Sequence, residues 1–312
     1  MISEIRIATV AVSDLTRSRA FYENTFDYVC QGEGAIAGPA LESLWNMPPG
    51  LEGHCAVLGP EGATTGLLRL VQFNQPGQQI WGDYSTPQNR GHYALNIRVP
   101  EIRAAMQRLQ DNGGRAKSEP NYWTVSPDIS AWDSLSYDPD GTVVDVFELE
   151  VAPGSLLDDY DGRCSALQTV AMHVADARQS ARFYAALGFR PMYDKLIEGM
   201  EDFFKLPKGT ALHNINLVMP GGANIGRIEI AQYVGWQGES LRDVATPPNL
   251  GILSLSMATD DLQATERLLY SIGAEALSNP VEASMPVLGT VKARTYYGPD
   301  GEVLEFYQPI DA

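Results

Sequence analysis

Asp14-Leu15-Thr16-Arg17-Ser18-Arg19-Ala20-Phe21-Tyr22 is the stretch from which the rest of the 312-residue chain can be ordered. Asp14 stands where a helix N-cap belongs, and Leu15, Phe21, Tyr22 and Phe26 follow at apolar helical positions. Ahead of it, Ala8, Val10 and Val12 share one face of a short strand. The same arrangement returns as Ala175-Asp176 followed by Ser180-Ala181-Arg182-Phe183-Tyr184. Other segments return in the same order. Leu44-Trp45-Asn46-Met47-Pro48-Pro49-Gly50 is echoed by Phe203-Phe204-Lys205-Leu206-Pro207-Lys208-Gly209, and Asn89-Arg90-Gly91-His92 by Asn249-Leu250-Gly251-Ile252. Tyr137-Asp138-Pro139-Asp140-Gly141 is echoed by Tyr297-Gly298-Pro299-Asp300-Gly301. A fixed order over the whole chain is the mark of a duplicated half. The repeat divides the chain into 1–152 and 166–312. Pro153, Gly154 and the acidic run Asp158-Asp159-Tyr160-Asp161 mark 153–165 as a linker.

Each half reads as two strand–helix–strands units. The second begins at His92–Val99, with Ile102, Ala105, Met106 and Leu109 at helical spacing and Gly113 as the stop. The third begins at Leu167–Val174 with a helix from Asp176 to Gly188. The fourth begins at Leu253–Ala258, with a helix through Leu262, Leu269 and Ile272 to Gly273. Later strands are clearest at Ala56–Leu58, Leu67–Phe73, Val143–Leu149, Ile215–Met219, Ile228–Tyr233 and Val303–Tyr307. Period two assigns Tyr93, Leu95, Ile97 and Val99 to one face and His92, Ala94, Asn96 and Arg98 to the other. Likewise Leu253, Leu255 and Met257 oppose Ser254, Ser256 and Ala258, and Val170, Met172 and Val174 oppose Thr169, Ala171 and His173. Val144 and Val146 oppose Val143, Asp145 and Phe147; Leu304 and Phe306 oppose Val303, Glu305 and Tyr307. The second faces are small and weakly charged, which suits a ligand-lined concavity.

Apolar residues are 44% and charged residues 20% of the chain, an ordinary globular balance. No apolar run approaches the ~18 residues of a spanning helix, and the start lacks the basic and apolar regions of a signal peptide. Cys30, Cys55 and Cys164 make an odd set without metal-type spacing, which points to a cytoplasmic protein. A net charge of −17 disfavours nucleic acid and anionic membranes as partners. A small-molecule substrate, with an aromatic character suggested by Trp45, Trp81, Tyr84, Trp123, Trp132 and Tyr137, is the expected partner. A homodimer is compatible with the sequence. No glycine-rich phosphate loop precedes a helix, so no nucleotide cofactor is expected.

The tandem units, with D-L-x-x-S-x-x-F-Y early and D-P-D-G late, resemble the vicinal oxygen chelate superfamily, which includes glyoxalase I, the bleomycin-resistance proteins and the extradiol dioxygenases. The resemblance spans essentially the whole chain. It implies an α+β fold of four βαβββ modules, two per half, each pair curling into a cup. It also implies metal-ligand positions, here Ile7, Arg69, Ala94 and Asp145 in the first half and Thr169, Glu229, Ser254 and Glu305 in the second. Ile7 and Ala94 cannot bind a metal, Arg69 repels one, and Thr169 and Ser254 replace both imidazoles of an iron site. Extradiol dioxygenase chemistry is therefore not expected, and neither is a metal or other cofactor. An oxygen-only pair, Glu229 and Glu305, would suit Mg²⁺ or Mn²⁺ weakly.

The reading that follows is a glyoxalase-like lyase or isomerase. Glu229 and Glu305 share one cup, one pKa is pushed up, and a proton moves at a small aromatic or carbonyl-bearing metabolite without a metal. Thr169, Asn216, Ser254 and Ser256 would orient a substrate oxygen, with His173 and Tyr307 on the same faces. In the first half, Arg69 and Asp145 would pair, and His54, His92 and Asn96 would join Arg69 in binding a carboxylate or phenolate. His92 and Asp145 are the catalytic candidates there. Of the four histidines, His213 also falls in a strand. The competing readings are a binding protein of the bleomycin-resistance kind and a divalent-metal lyase built on Glu229 and Glu305.

Overall fold

The computed structural model describes residues 1–155, 157–204, 206–222 and 224–310. Lys205, in one of the echoed segments, lies outside them. The first module comprises β1 (Ile2–Ala11), α1 (Leu15–Phe26), β2 (Val29–Ile36), α2 (Pro39–Leu44), β3 (Gly53–Gly59) and β4 (Leu67–Phe73). The second comprises β5 (Gly91–Arg98), α3 (Ile102–Asp111), β6 (Arg115–Ala116), β7 (Asn121–Ser126), β8 (Ile129–Tyr137) and β9 (Val143–Val151). The third runs β10 (Leu167–His173), α4 (Ala177–Ala186), β11 (Arg190–Ile197), α5 (Glu201–Phe204), β12 (Ala211–Val218) and β13 (Arg227–Val234). The fourth runs β14 (Gly251–Thr259), α6 (Leu262–Ser271), β15 (Glu275–Ala276), β16 (Val281–Met285), β17 (Gly289–Tyr297) and β18 (Val303–Pro309). Asp14 caps its helix as the sequence signals, and Asp176 and Asp261 do the same for theirs, each carboxylate accepting a backbone N–H of the first helical turn.

The modules do not pair within halves. One nine-stranded sheet joins the first module to the fourth, through antiparallel β1 and β14. The other joins the second to the third, through antiparallel β5 and β10. The expectation of one cup per half is therefore corrected: an outer cup forms from the two ends of the described chain and an inner cup from its middle. The 153–165 stretch connects two modules of the same inner sheet, and it packs: Arg98 Nη1 donates to Leu157 O at 2.8 Å, and the guanidinium lies 3.8 Å from the centroid of the Tyr160 ring.

The recurring motifs clamp the two sheets to one another. Asp138 Oδ1 accepts the N–H groups of Asp140 and Thr142, while Tyr22 Oη, from α1 of the outer sheet, donates to Asp138 Oδ2 at 3.1 Å. Gly141 takes φ 89°, which favours glycine at that turn. In the second half Tyr184 Oη donates to Glu302 Oε1 at 2.7 Å, and Gly301 takes φ 90°. This is why F-Y and D-P-D-G recur together.

The helix-side core holds Val10, Leu95, Ile97, Val144, Val146, Val170, Met172, Leu255, Met257, Leu304 and Phe306, as period two requires. Two positions depart from it. Ala94 faces Ala171 but His92 faces Met172, so Tyr93 is an extra residue in β5. Ser254 faces Thr9 but Ile252 faces Val10, so Leu253 is extra in β14. A bulge resets the alternation. Tyr93 and Leu253 therefore turn to the cup side instead of packing under the helices.

Candidate active site

The outer cup is filled. α2 lies across it against β16 and β17, with Thr295 Oγ1 donating to Leu44 O at 2.6 Å. Leu41, Leu44, Trp45 and Met47 are buried there with Val71, Val291, Ala293 and Tyr307. On its floor Arg69 and Glu305 form an ion pair at 3.6 Å, both side chains wholly buried. Glu305 also accepts from Ser256 Oγ and Trp45 Nε1, each at 2.7 Å, and Arg69 donates to Thr9 Oγ1 at 3.3 Å. Ser254 is buried opposite Thr9. Arg69 thus pairs with Glu305 and not with Asp145. Glu305, Ser254, Ser256 and Tyr307 belong to a packed interior. His54 is exposed and lies outside the cup, on the face of β3 opposite Cys55 and Val57. His92, displaced by the bulge, sets Nε2 3.1 Å from Val303 O in the outer sheet, and burial lowers its pKa to about 4. The first-half anion site expected from Arg69, His54, His92 and Asn96 does not assemble.

The inner cup is open. In place of α2 it has the single turn of α5, none of whose residues is buried. A cleft of about 380 Å³ runs along the sheet between Trp123, Phe147, Met192, Tyr193 and Arg227. It abuts a narrower chamber of about 60 Å³ walled by Tyr93, His173, Phe204 and Tyr233. Asn96, Asp133, Asp145, Asn214 and Glu229 line both. A depression of about 520 Å³ lies elsewhere, near Arg182 and Tyr297. Its Arg242 and Glu275 already pair with each other at 2.6 Å.

Glu229 and Glu305 occupy different sheets, so they cannot share a substrate, a proton or an ion. Glu229 instead accepts from Asn96 Nδ2 at 2.6 Å, Asn214 Nδ2 at 2.7 Å and Thr169 Oγ1 at 3.1 Å. Its neighbour across the cup is a carboxyl pair. Asp133 and Asp145 hydrogen-bond each other, which requires a proton between them. Neither Asp133 Oδ1 nor Asp145 Oδ1 has a protein donor among the described residues. Burial, with the charge of Glu229 adding to it, pushes Asp133 up to about 6. Burial first, then Asp133 and Glu229, hold Asp145 well above the usual carboxylate range.

Arg227, the nearest cation, spends its guanidinium on neutral oxygens: Asn216 Oδ1 at 2.8 Å, Gln168 Oε1 at 3.0 Å and Asn224 O at 3.1 Å. Asn216 is thereby a support for Arg227 at the cleft edge. His173 stacks on Tyr93 with ring centroids 4.0 Å apart. Burial brings its pKa to about 3, so the ring is neutral and its Nδ1–H donates to Pro87 O at 2.8 Å. His213 pairs with Asp194 at 2.7 Å, away from the cup.

The expected ligand positions do converge, as Ala94, Asp145, Thr169 and Glu229 in the inner cup and Ile7, Arg69, Ser254 and Glu305 in the outer. Neither set suits the metal site that the resemblance implies. No imidazole is present in either, and the outer set carries a guanidinium against its one carboxylate. Among the described residues no group of three or more His, Cys, Asp or Glu is placed to hold an ion. Asp133 and Asn214 were missed in the sequence. Both had a signal: Asp133 alternates with Ala131, Leu135 and Tyr137, and Asn214 with Asn216.

No family model matches the chain, and no curated protein matches it in sequence. Solved structures do match its shape. The chain has the βαβββ fold seen in glyoxalases and dioxygenases. Glyoxalase I from Zea mays superposes with a TM-score of 0.61 at 17% identity, over 98% of this chain and 92% of that one. A candidate dioxygenase from Bacillus subtilis superposes with 0.61 at 13% identity, over 100% of this chain and 86% of that one. At these identities the likeness establishes the fold alone. Among the described residues no helix is long and apolar enough to cross a membrane.

Proposed function

We propose that the inner cup is the active site of a glyoxalase-like enzyme that moves a proton at a carbon next to a carbonyl, as an isomerase, epimerase or eliminating lyase. The observation that carries this is the Asp133–Asp145 pair facing a cavity, with burial pushing Asp133 up to about 6 and holding Asp145 well above the usual carboxylate range. A pair that shares one proton sets a protonated carboxyl beside an unprotonated one, so it can accept a proton from carbon and return one. In the first step the substrate C–H bond breaks, its proton goes to the unprotonated carboxylate, and its electron pair moves into an enolate. Tyr193 Oη, without a hydrogen-bond partner among the described residues, is a donor available to the enolate oxygen. Glu229, held by three donors, contributes the charge that keeps the pair basic. No metal is assigned a role, because the donor set offers no nitrogen ligand and Glu229 is already engaged. This replaces the Glu229–Glu305 pair and the magnesium or manganese reading built on it.

The test is solvent deuterium incorporation into a panel of aromatic ketones and aldehydes, with and without chelator. Exchange that survives the chelator and is lost in Asp145→Asn is the expected result. Ligand binding without exchange anywhere in the panel would instead make the inner cup a sequestering site. Loss of exchange on chelation would return a metal to the mechanism.

A further inference from the structure

We infer that the substrate of the inner cup carries a positive charge, an amine or other cationic hydrogen-bond donor set beside its carbonyl. The inference rests on the inner cup being the site. Its floor is made of acceptors. Asn96 is 3% exposed, and its Nδ2 is fixed by the carboxylate of Glu229, which can only accept. The amide orientation is therefore determined, and Oδ1 is left with no partner among the described residues on the wall of both chambers. A buried acceptor without a donor costs free energy until a ligand supplies one.

Charge points the same way. Glu229 and the Asp133–Asp145 pair, three carboxyl groups sharing one proton, carry two negative charges. Among the described residues one guanidinium lines the cleft, that of Arg227, and it is turned to neutral oxygens. A carboxylate or phosphate substrate would meet these acceptors with no unengaged cation among the described lining residues to answer its charge. A cation would be attracted to them and to the faces of Trp123 and Tyr193. The chain's net charge of −17 raises the local concentration of cations as well.

Three matched ketones test this: para-(aminomethyl)acetophenone, para-(hydroxymethyl)acetophenone and para-acetylbenzoate, titrated calorimetrically into the full chain at low and at high salt. The amine should bind at least about tenfold more tightly than the alcohol, a difference of about 1.4 kcal/mol, and lose that advantage at high salt. The benzoate should bind more weakly than either. Glu229→Gln should weaken the amine about tenfold; Asp133→Asn serves if that variant does not fold. Alcohol or benzoate binding as tightly as the amine overturns the inference, and so does absence of binding by all three. Deuterium exchange at the acetyl methyl is read in the same samples. Selective amine binding without exchange would leave the charge inference standing and remove the proton-transfer reading. Exchange in the alcohol with no preference for the amine would do the reverse.

Discussion

The two cups are built on the same register and differ in what surrounds one carboxyl. In the outer cup Glu305, next to Ser256 across β14 and β18, is answered by Ser256, Trp45 and Arg69. In the inner cup Asp145, next to Asn96 across β5 and β9, occupies the matching place. There the three answering positions are Asn96, Phe204 and Glu229. Asn96 turns its donor to Glu229, Phe204 has no N–H, and Glu229 is itself an acid. One cup has become a neutralised interior and the other a cavity with raised carboxyls. The lesson is that a duplicated scaffold separates stability from chemistry by three side chains and the shortening of one helix, with the strand register left alike.

That contrast can be broken. Arg69→Met strands Glu305 in the outer core and should cost about 3–5 kcal/mol in urea unfolding. A cost below about 1 kcal/mol would show that the outer cup is not a closed structural pair. The counterpart in the inner cup acts on rate. Asp145→Asn should lower turnover about a hundredfold or more while raising the melting temperature at neutral pH, since it removes a carboxyl held above its ordinary pKa. A lower melting temperature would mean that the Asp133–Asp145 contact is cohesive.

Exchanging the matched aromatics sharpens the comparison further. Trp45→Phe removes a buried donor from Glu305 and should cost about 1–3 kcal/mol, measured by calorimetry. Phe204→Trp offers the inner cup a donor, and should move the acid limb of the rate profile to lower pH by under about one unit. In the unaltered protein that limb should lie near the pKa of about 6 of Asp133, with activity lost as pH falls through it.

The smallest effect is on stability against pH. Asp133 binds its proton more tightly folded than unfolded. Its contribution is thus fully present below its ordinary value of 3.8 and lost as pH rises through about 6. Asp133→Asn should flatten that part of the curve.

The modules, their caps and their strand faces were legible because period and capping are local, and D-P-D-G with F-Y was legible because it recurs. Module pairing was not, since a strand's alternation states which face is buried and says nothing of its neighbour. That one gap moved Glu305 away from Glu229 and Arg69 away from Asp145. His92 and Leu253 were misplaced by single-residue bulges, which leave no trace in an alternating pattern. Asp133 was not legible because β8 interleaves its apolar residues with Ser130, Ser134 and Ser136, so neither of its faces stands out as the buried one.

The nesting of the sheets has a consequence for how the molecule is made. The inner sheet draws on strands contiguous from Gly91 to Val234, whereas β1 pairs with β14 and β4. On a ribosome, the middle of the chain can close first, while β1 must wait for Gly251 to Thr259 to emerge before it loses its open edge. Until then its apolar strand is exposed to neighbouring chains. The inner cup is thus completed before the outer one in synthesis, and the newborn chain is most exposed to aggregation at its first strand.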